Sequence, residues 1–332
     1  MFIYNIVITR MPTQIEALDK MFPGKVFLED ELFLERFGPR STWEEVGSGG
    51  ESIVYGTRNG RYVIKMSNLS LLESDGSDDE EFESDEDSDE DDEESETKRR
   101  FDRLKLELTM TNIDTLTTTI YVSPSFTVEE RKQSDLKKYI EMHRESAPSM
   151  GDRLRMCLDM YTGISIVHGH KLAHLDIKPE NIFVSNRSLS IGDFGFLIRC
   201  TNDSKKAVGR SFGWSPHSTY SGKLCQLVDL YSTALVTIGI LAWNEDIINQ
   251  CRDFSDAFNR VKSREELCKV LEGVFDKTIS YNSHFFPETV NENLIDKLKR
   301  SIIGLECGSR KRITASIAAS TIEKILREMR EM

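Results

Sequence analysis

The stretch Leu172–Gly195, LAHLDIKPENIFVSNRSLSIGDFG, constrains this chain more than any other. Two apolar runs, Ile182-Phe183-Val184 and Leu189-Ser190-Ile191, are strand-length and flank Asn186-Arg187, where a turn is expected. A hairpin built this way carries Asn181 just before its first strand and Asp193 just after its second. Both side chains then arrive at the open end, where one divalent cation can bridge them. Asp176 and Lys178 lie a few residues upstream, with His174 before them.

Phosphoryl transfer from a nucleotide needs few parts: a carboxylate to receive a hydroxyl proton, a cation beside the migrating group, and oxygens to hold Mg²⁺. Asp176, Lys178, and the pair Asn181 and Asp193 supply them in that order. HLDIKPEN followed by DFG also resembles the catalytic and metal-binding loops of the eukaryotic-type protein kinases, and the D-x-K-P-E-N form resembles the serine/threonine branch. The resemblance covers about residues 43–320. It implies an α+β, bilobal protein kinase fold, with a small β-rich N-lobe holding one main helix and a larger helical C-lobe. It further implies ATP and Mg²⁺ as cofactors and protein Ser or Thr hydroxyls as acceptors. Phe194 and His174 are expected to pack in the interior, not to do chemistry.

The glycine-rich loop of that family is matched by Trp43 to Gly56, WEEVGSGGESIVYG, with Gly47, Ser48 and Gly49 at the turn and Val54 after it. Glycines there let backbone N–H groups approach phosphate oxygens that a Cβ would obstruct. Ser52 replaces the third glycine of the pattern. Tyr62-Val63-Ile64-Lys65 follows at strand spacing. By resemblance Lys65 grips the α- and β-phosphates, and Val63 lies under the adenine where alanine is usual. The helix-like stretch Lys98–Met110 puts Phe101, Leu104 and Leu108 on one face. In active kinases a glutamate on this helix pairs with the strand lysine. Glu107 is the candidate and Asp102 the alternative.

Residues 1–40 precede any assignable chemistry, and their apolar start is expected to pack as an extension or strand and not to act as a signal peptide. The N-lobe is placed at 41–131 and the C-lobe at 132–332. Within the N-lobe, 71–97 reads as a disordered acidic insert, because a Ser/Asp/Glu run buries too little apolar surface to offset its ordering entropy. Between Glu73 and Glu96 there are 17 acidic residues and no basic one. Subtracting them from the net charge of −13 leaves the rest at +4. That mild basicity suits nucleotide phosphates and does not argue for nucleic acid. The insert is expected to meet a basic partner or a substrate groove, and Ser77, Ser84 and Ser88 sit in contexts suited to acid-directed kinases.

Further strands are expected at Ile120–Val122 and Phe126–Val128, with Glu129 and Glu130 near the adenine edge. A capped helix is expected from Ser134 and a longer one over 151–170, with Leu154, Leu158, Tyr161 and Ile164 on one side. The last helix runs from Thr314. No apolar run reaches the ~18 residues a membrane span needs. The six cysteines are scattered, fitting reduced thiols in the cytoplasm or nucleus better than disulfides or a zinc site.

Several positions depart from the kinase pattern. Leu175 stands where many kinases have an arginine that binds an activation-loop phosphate, and Ser215-Pro216-His217 stands for Ala-Pro-Glu, leaving Arg312 without its usual glutamate. The chain resembles kinases of large DNA viruses in this respect. The alternative reading is a pseudokinase scaffold that binds partners without turnover. It draws on Ser52, Leu175 and His217, none of which removes a catalytic group.

Overall fold

The computed structural model describes residues 37–48, 52–67, 114–117, 119–122, 126–200, 214, 225–243, 272–273, 276, 296, 299–300 and 314–331. Gly49, Glu107 with its expected helix, the acidic insert, residues 1–36, residues 201–211, His217 and Arg312 lie outside the described residues. The chain forms two compact units: one ends at Arg131, the other begins at Lys132 and includes Asp114–Leu116.

The first unit is a five-stranded antiparallel sheet. Its strands are β1 (Glu44–Ser48), β2 (Ser52–Gly56), β3 (Tyr62–Ser67), β4 (Thr119–Val122) and β5 (Phe126–Glu130), in the order β1-β2-β3-β5-β4. Strand β3 alternates: Ile64 and Met66 are buried, Val63 and Lys65 only half-buried. The buried pair meets Phe126 and Val128 of β5, together with Phe37 and Trp43, to make the core of this unit. Trp43 is anchored as well as packed, since its Nε1–H lies 3.1 Å from the carbonyls of both Phe37 and Gly38. Between β2 and β3 the chain reverses through Gly60 at φ +68°, a conformation any Cβ would strain.

The second unit is mainly helical. A three-stranded sheet joins β6 (Ser134–Asp135), β8 (Ile182–Ser185) and β9 (Ser188–Ile191), and β7 (Leu172–Ala173) pairs with β10 (Ile198–Arg199). The helices are α1 (Leu136–Met142), α2 (Met150–Gly169), α3 (Cys225–Ala242) and α4 (Ala315–Glu331). Helix α2 is the hub, packed against α3, α4 and β9. Its expected face holds: Leu154, Tyr161 and Ile164 are buried, whereas Leu158 is only half-buried. Gly163 sets the approach to the sheet, because a Cβ there would stand 2.8 Å from the Thr115 carbonyl and 2.9 Å from Ile191 Cδ1.

The start of α1 differs from expectation by one residue. Ser134 belongs to β6, opposite Val184, and Asp135 is the cap, accepting the Lys138 N–H at 2.9 Å. Ser134 spends its hydroxyl on the Asp135 carbonyl instead. At the other end of the bundle Arg153 of α2 is buried. Its guanidinium donates to the carbonyls of Pro148 (2.9 Å) and Leu241 (2.7 Å) and lies 5.8 Å from the Trp243 ring. The Leu241 carbonyl is at the C-terminus of α3, where the helix dipole favours a cation.

Candidate active site

The hairpin forms as its sequence dictates. Ile182 pairs with Ile191 and Ser185 with Ser188, leaving Asn186 and Arg187 as a two-residue turn with φ of +51° and +66°. Positive φ at both positions matches the right-handed twist of the strands, and asparagine accepts it more readily than most residues. At the open end the Gly192 N–H donates to the Asn181 carbonyl at 3.0 Å, which brings Asn181 and Asp193 to the same edge.

Asp176 is the hub of this edge. It is buried, and its Oδ2 accepts from Lys178 Nζ and from Asn181 Nδ2, both at 2.8 Å. The Asn181 amide also donates to the Asp176 backbone carbonyl at 2.8 Å. Both contacts use the Asn181 amide nitrogen, so its oxygen takes no part in holding Asp176. Asp193 adopts the left-handed conformation, φ +59° and ψ +70°, and opens a 3-10 turn over Phe194–Phe196.

Histidine 174 braces both loops. Its Nδ1 lies 3.3 Å from the Asp176 N–H, so Nε2 carries the hydrogen and donates it to the Gly192 carbonyl at 3.0 Å. Its ring lies 5.1 Å from that of Phe194, and both side chains are buried, as expected for packing residues. Beneath them Asp229 of α3, wholly buried, accepts the backbone N–H groups of His174 (2.8 Å) and Leu175 (2.7 Å). Leu175 needs that support, because its φ is +67°. Its side chain joins Ala173, Cys200, Cys225 and Val228 in an apolar cluster.

Four features here were not signalled in the sequence. His168 Nε2 lies 3.0 Å from Asp229 Oδ2, and Gln226 Nε2 donates to the carbonyls of His168 and Leu172. Lys137 of α1 pairs with Glu180 of the catalytic loop at 3.1 Å. Burial pushes the Cys200 thiol up to about 12, with Cys225 and Asp229 adding to the shift. His168 and His174 thus serve protein acceptors. Among the described residues no three His, Cys, Asp or Glu side chains stand together as a metal site.

In the first unit the register puts Gly47 opposite Val54, Val54 opposite Lys65, and Lys65 opposite Thr127. Gly56, Val63 and Glu129 form the next row. Gly47, Val54 and Lys65 therefore line one row of the sheet, with Val63 beside them and Ser48 at the end of β1. A Cβ on Gly47 would meet no atom of the described residues within 4 Å.

In the helical unit Asp176, Lys178, Asn181 and Asp193 thus stand on and beside one hairpin. The protein kinase domain family matches residues 41–322, and the chain belongs to that family, with its bilobal α+β fold. It is 32% identical over 116 residues to the dual specificity protein kinase shkE of Dictyostelium discoideum, covering 33% of this chain and 16% of that protein. To the serine/threonine-protein kinase shk2 of Schizosaccharomyces pombe it is 27% identical over 127 residues, 35% of this chain and 22% of the relative. To the mouse interferon-induced, double-stranded RNA-activated protein kinase it is 33% identical over 94 residues, 26% and 18% respectively. The aligned stretches thus span less than a quarter of each of these relatives.

Proposed function

We infer that the chain is an ATP-dependent serine/threonine protein kinase, transferring the γ-phosphoryl of ATP to Ser or Thr hydroxyls of proteins. The observation that carries this reading is the convergence of Lys178 Nζ and Asn181 Nδ2 on one oxygen of Asp176, both at 2.8 Å. That contact holds the carboxylate in a fixed rotamer, as a base receiving a substrate proton requires. Lys178 neutralises charge on the migrating group and Lys65 holds the α- and β-phosphates. The Asn181 amide oxygen and the Asp193 carboxylate would hold Mg²⁺, which when bound neutralises charge on the nucleotide phosphates. Gly47 fits the same reading, since a Cβ there would meet none of the described atoms and a glycine lets a phosphate approach its backbone N–H.

The test is Mg²⁺-dependent phosphorylation of a degenerate peptide library carrying Ser, Thr or Tyr at the acceptor position, with Asp176→Asn as control. Transfer to Ser and Thr that vanishes in the control is expected. Transfer to Tyr would shift the reading toward the dual specificity named for one relative. Nucleotide binding without turnover would establish the scaffold instead, and transfer only to small alcohols or sugars a small-molecule kinase.

Two further parts belong to this proposal. The acidic insert docks a basic partner or substrate, and deleting residues 73–96 is expected to change a Michaelis constant or partner binding. The setting is a reducing compartment, cytoplasm or nucleus, of a cell infected by a large DNA virus. Cys157, Cys200 and Cys225 are buried and outside any disulfide, which supports the redox part, and the encoding genome and the imaged location of the tagged chain test the rest.

A further inference from the structure

Helices α2 and α4 and the Asn186-Arg187 turn enclose a pocket of about 500 Å³ at the closed end of the catalytic hairpin. That volume is within the range of small-ligand sites, ~300–1,000 Å³. Its apolar part comes from Leu158 and the buried Leu326. Four guanidinium groups stand around it: Arg155 from α2, Arg187 from the turn, and Arg327 and Arg330 from α4. Glu323, Arg327 and Arg330 follow one another at helical spacing, so α4 presents a largely cationic stripe.

The three carboxylates in the lining do not consume these arginines. Asp152 alone serves two of them, Arg155 at 2.7 Å and Arg187 at 3.4 Å, while also accepting from the Ser149 hydroxyl. Glu323 meets Arg327 at 3.5 Å. Asp159 is turned to the hairpin, accepting the Leu189 N–H at 3.0 Å. Arg330 has no ion-pair partner among the described residues. Each guanidinium carries five N–H donors in a planar fork, and every pairing above uses one of its nitrogens. Donors suited to carboxylates therefore remain around an apolar floor.

We propose that this pocket docks a short acidic segment of a partner protein, one apolar side chain resting on Leu158 and Leu326 and flanking carboxylates on the arginines. A partner held there is tethered to the unit that carries Asp176, which raises the effective concentration of its hydroxyls. The site stands on binding alone and is independent of turnover.

The experiment uses the full chain and a fluorescein-labelled peptide, Glu-Asp-Glu-Glu-Phe-Glu-Asp-Glu, followed by fluorescence anisotropy. Saturable binding on the order of micromolar is expected, weakening with added salt as screened charges require. Arg327→Glu with Arg330→Glu should weaken it by about tenfold or more, and replacing the peptide Phe by Ser should weaken it as well. Glu323→Lys, which adds a cation and releases Arg327, should tighten binding by roughly threefold. This opposite sign keeps the test decisive even if the double reversal fails to fold. Absent binding, binding indifferent to all three charge changes, or capture of phosphatidylserine vesicles or single-stranded RNA in place of the peptide would overturn the proposal.

Discussion

Asp229 Oδ1 accepts the backbone N–H of Leu175 at 2.7 Å, and it does so at a residue whose φ is +67°. A non-glycine residue in that region is strained by roughly 1–2 kcal/mol, so the carboxylate holds the backbone one residue before Asp176 in a conformation it would otherwise leave. Asp229→Ala removes the acceptor from two buried N–H groups, each costing roughly 1–3 kcal/mol unsatisfied. The urea midpoint should fall at unchanged m-value, and kcat should fall more than the Michaelis constant for ATP rises. A kcat unaltered in the folded variant would separate Asp229 from the site.

Leu175 also bears on activation. Its side chain lies in the apolar cluster with Cys200 and Cys225, so position 175 itself supplies no cation for an activation-loop phosphate. Phosphatase treatment of active protein should leave turnover unchanged, and so should replacing Thr201, Ser204 and Ser211 by alanine. Leu175→Arg should lower stability by several kcal/mol, because the cluster offers an unpaired charge no partner. Turnover lost both on dephosphorylation and in the alanine variant would refute this account.

The hairpin could be read from the sequence because its determinants are local: two short apolar runs, a turn pair between them, and functional residues at fixed offsets. The strand holding Lys65 was legible through its spacing after the glycine-rich stretch Trp43 to Gly56. The side-chain contacts of His168 and Arg153, distant in sequence, were not. His168 and Asp229 are 61 residues apart, and Arg153 reaches Leu241 across 88. No periodicity in a single chain encodes such a pairing. Misreading Ser134 as the start of the helix has a different cause. Serine and aspartate are comparable caps, and only the pairing of Ser134 with Val184 shows which of the two is spent on the sheet.

Asn181 fixes Asp176 and is proposed to hold the cation, and a substitution series should divide the two. Asn181→Ala removes the donor that fixes Asp176 and the oxygen proposed for the cation. It should lower kcat and raise the Mg²⁺ concentration needed for half-maximal activity. Asp176→Asn should instead lower kcat by roughly 10²–10⁴-fold with little change in that Mg²⁺ midpoint. Identical Mg²⁺ titrations for wild type and Asn181→Ala would remove Asn181 from the metal site.

Alkaline stability follows from the buried titratable groups of the helical unit. Burial raises the Cys157 thiol well above its usual range, the Cys200 thiol to about 12, and the Tyr161 phenol above the tyrosine range. Each keeps its proton in the folded state at pH values where the unfolded chain has lost it. Their stabilising contribution is therefore full below the unfolded values, near 9 for the thiols and 10 for the phenol, and is lost as pH rises toward the folded ones. Arg153 acts in the opposite sense. Burial brings its guanidinium down to about 10, so between there and its ordinary 12.5 the unfolded chain binds more protons and folding gains. Of these four groups only the thiols titrate between pH 9 and 10, so their contribution to stability should decline from about pH 9 upward. Cys157→Ala and Cys200→Ala should each flatten that decline, by up to ~1.4 kcal/mol per pH unit for one proton, even where the cavity they leave lowers stability at neutral pH. Arg153→Met should steepen it above pH 10. Urea titrations of the four proteins across pH 7–11 provide the measurement, and parallel slopes would show that these groups do not govern the alkaline limb.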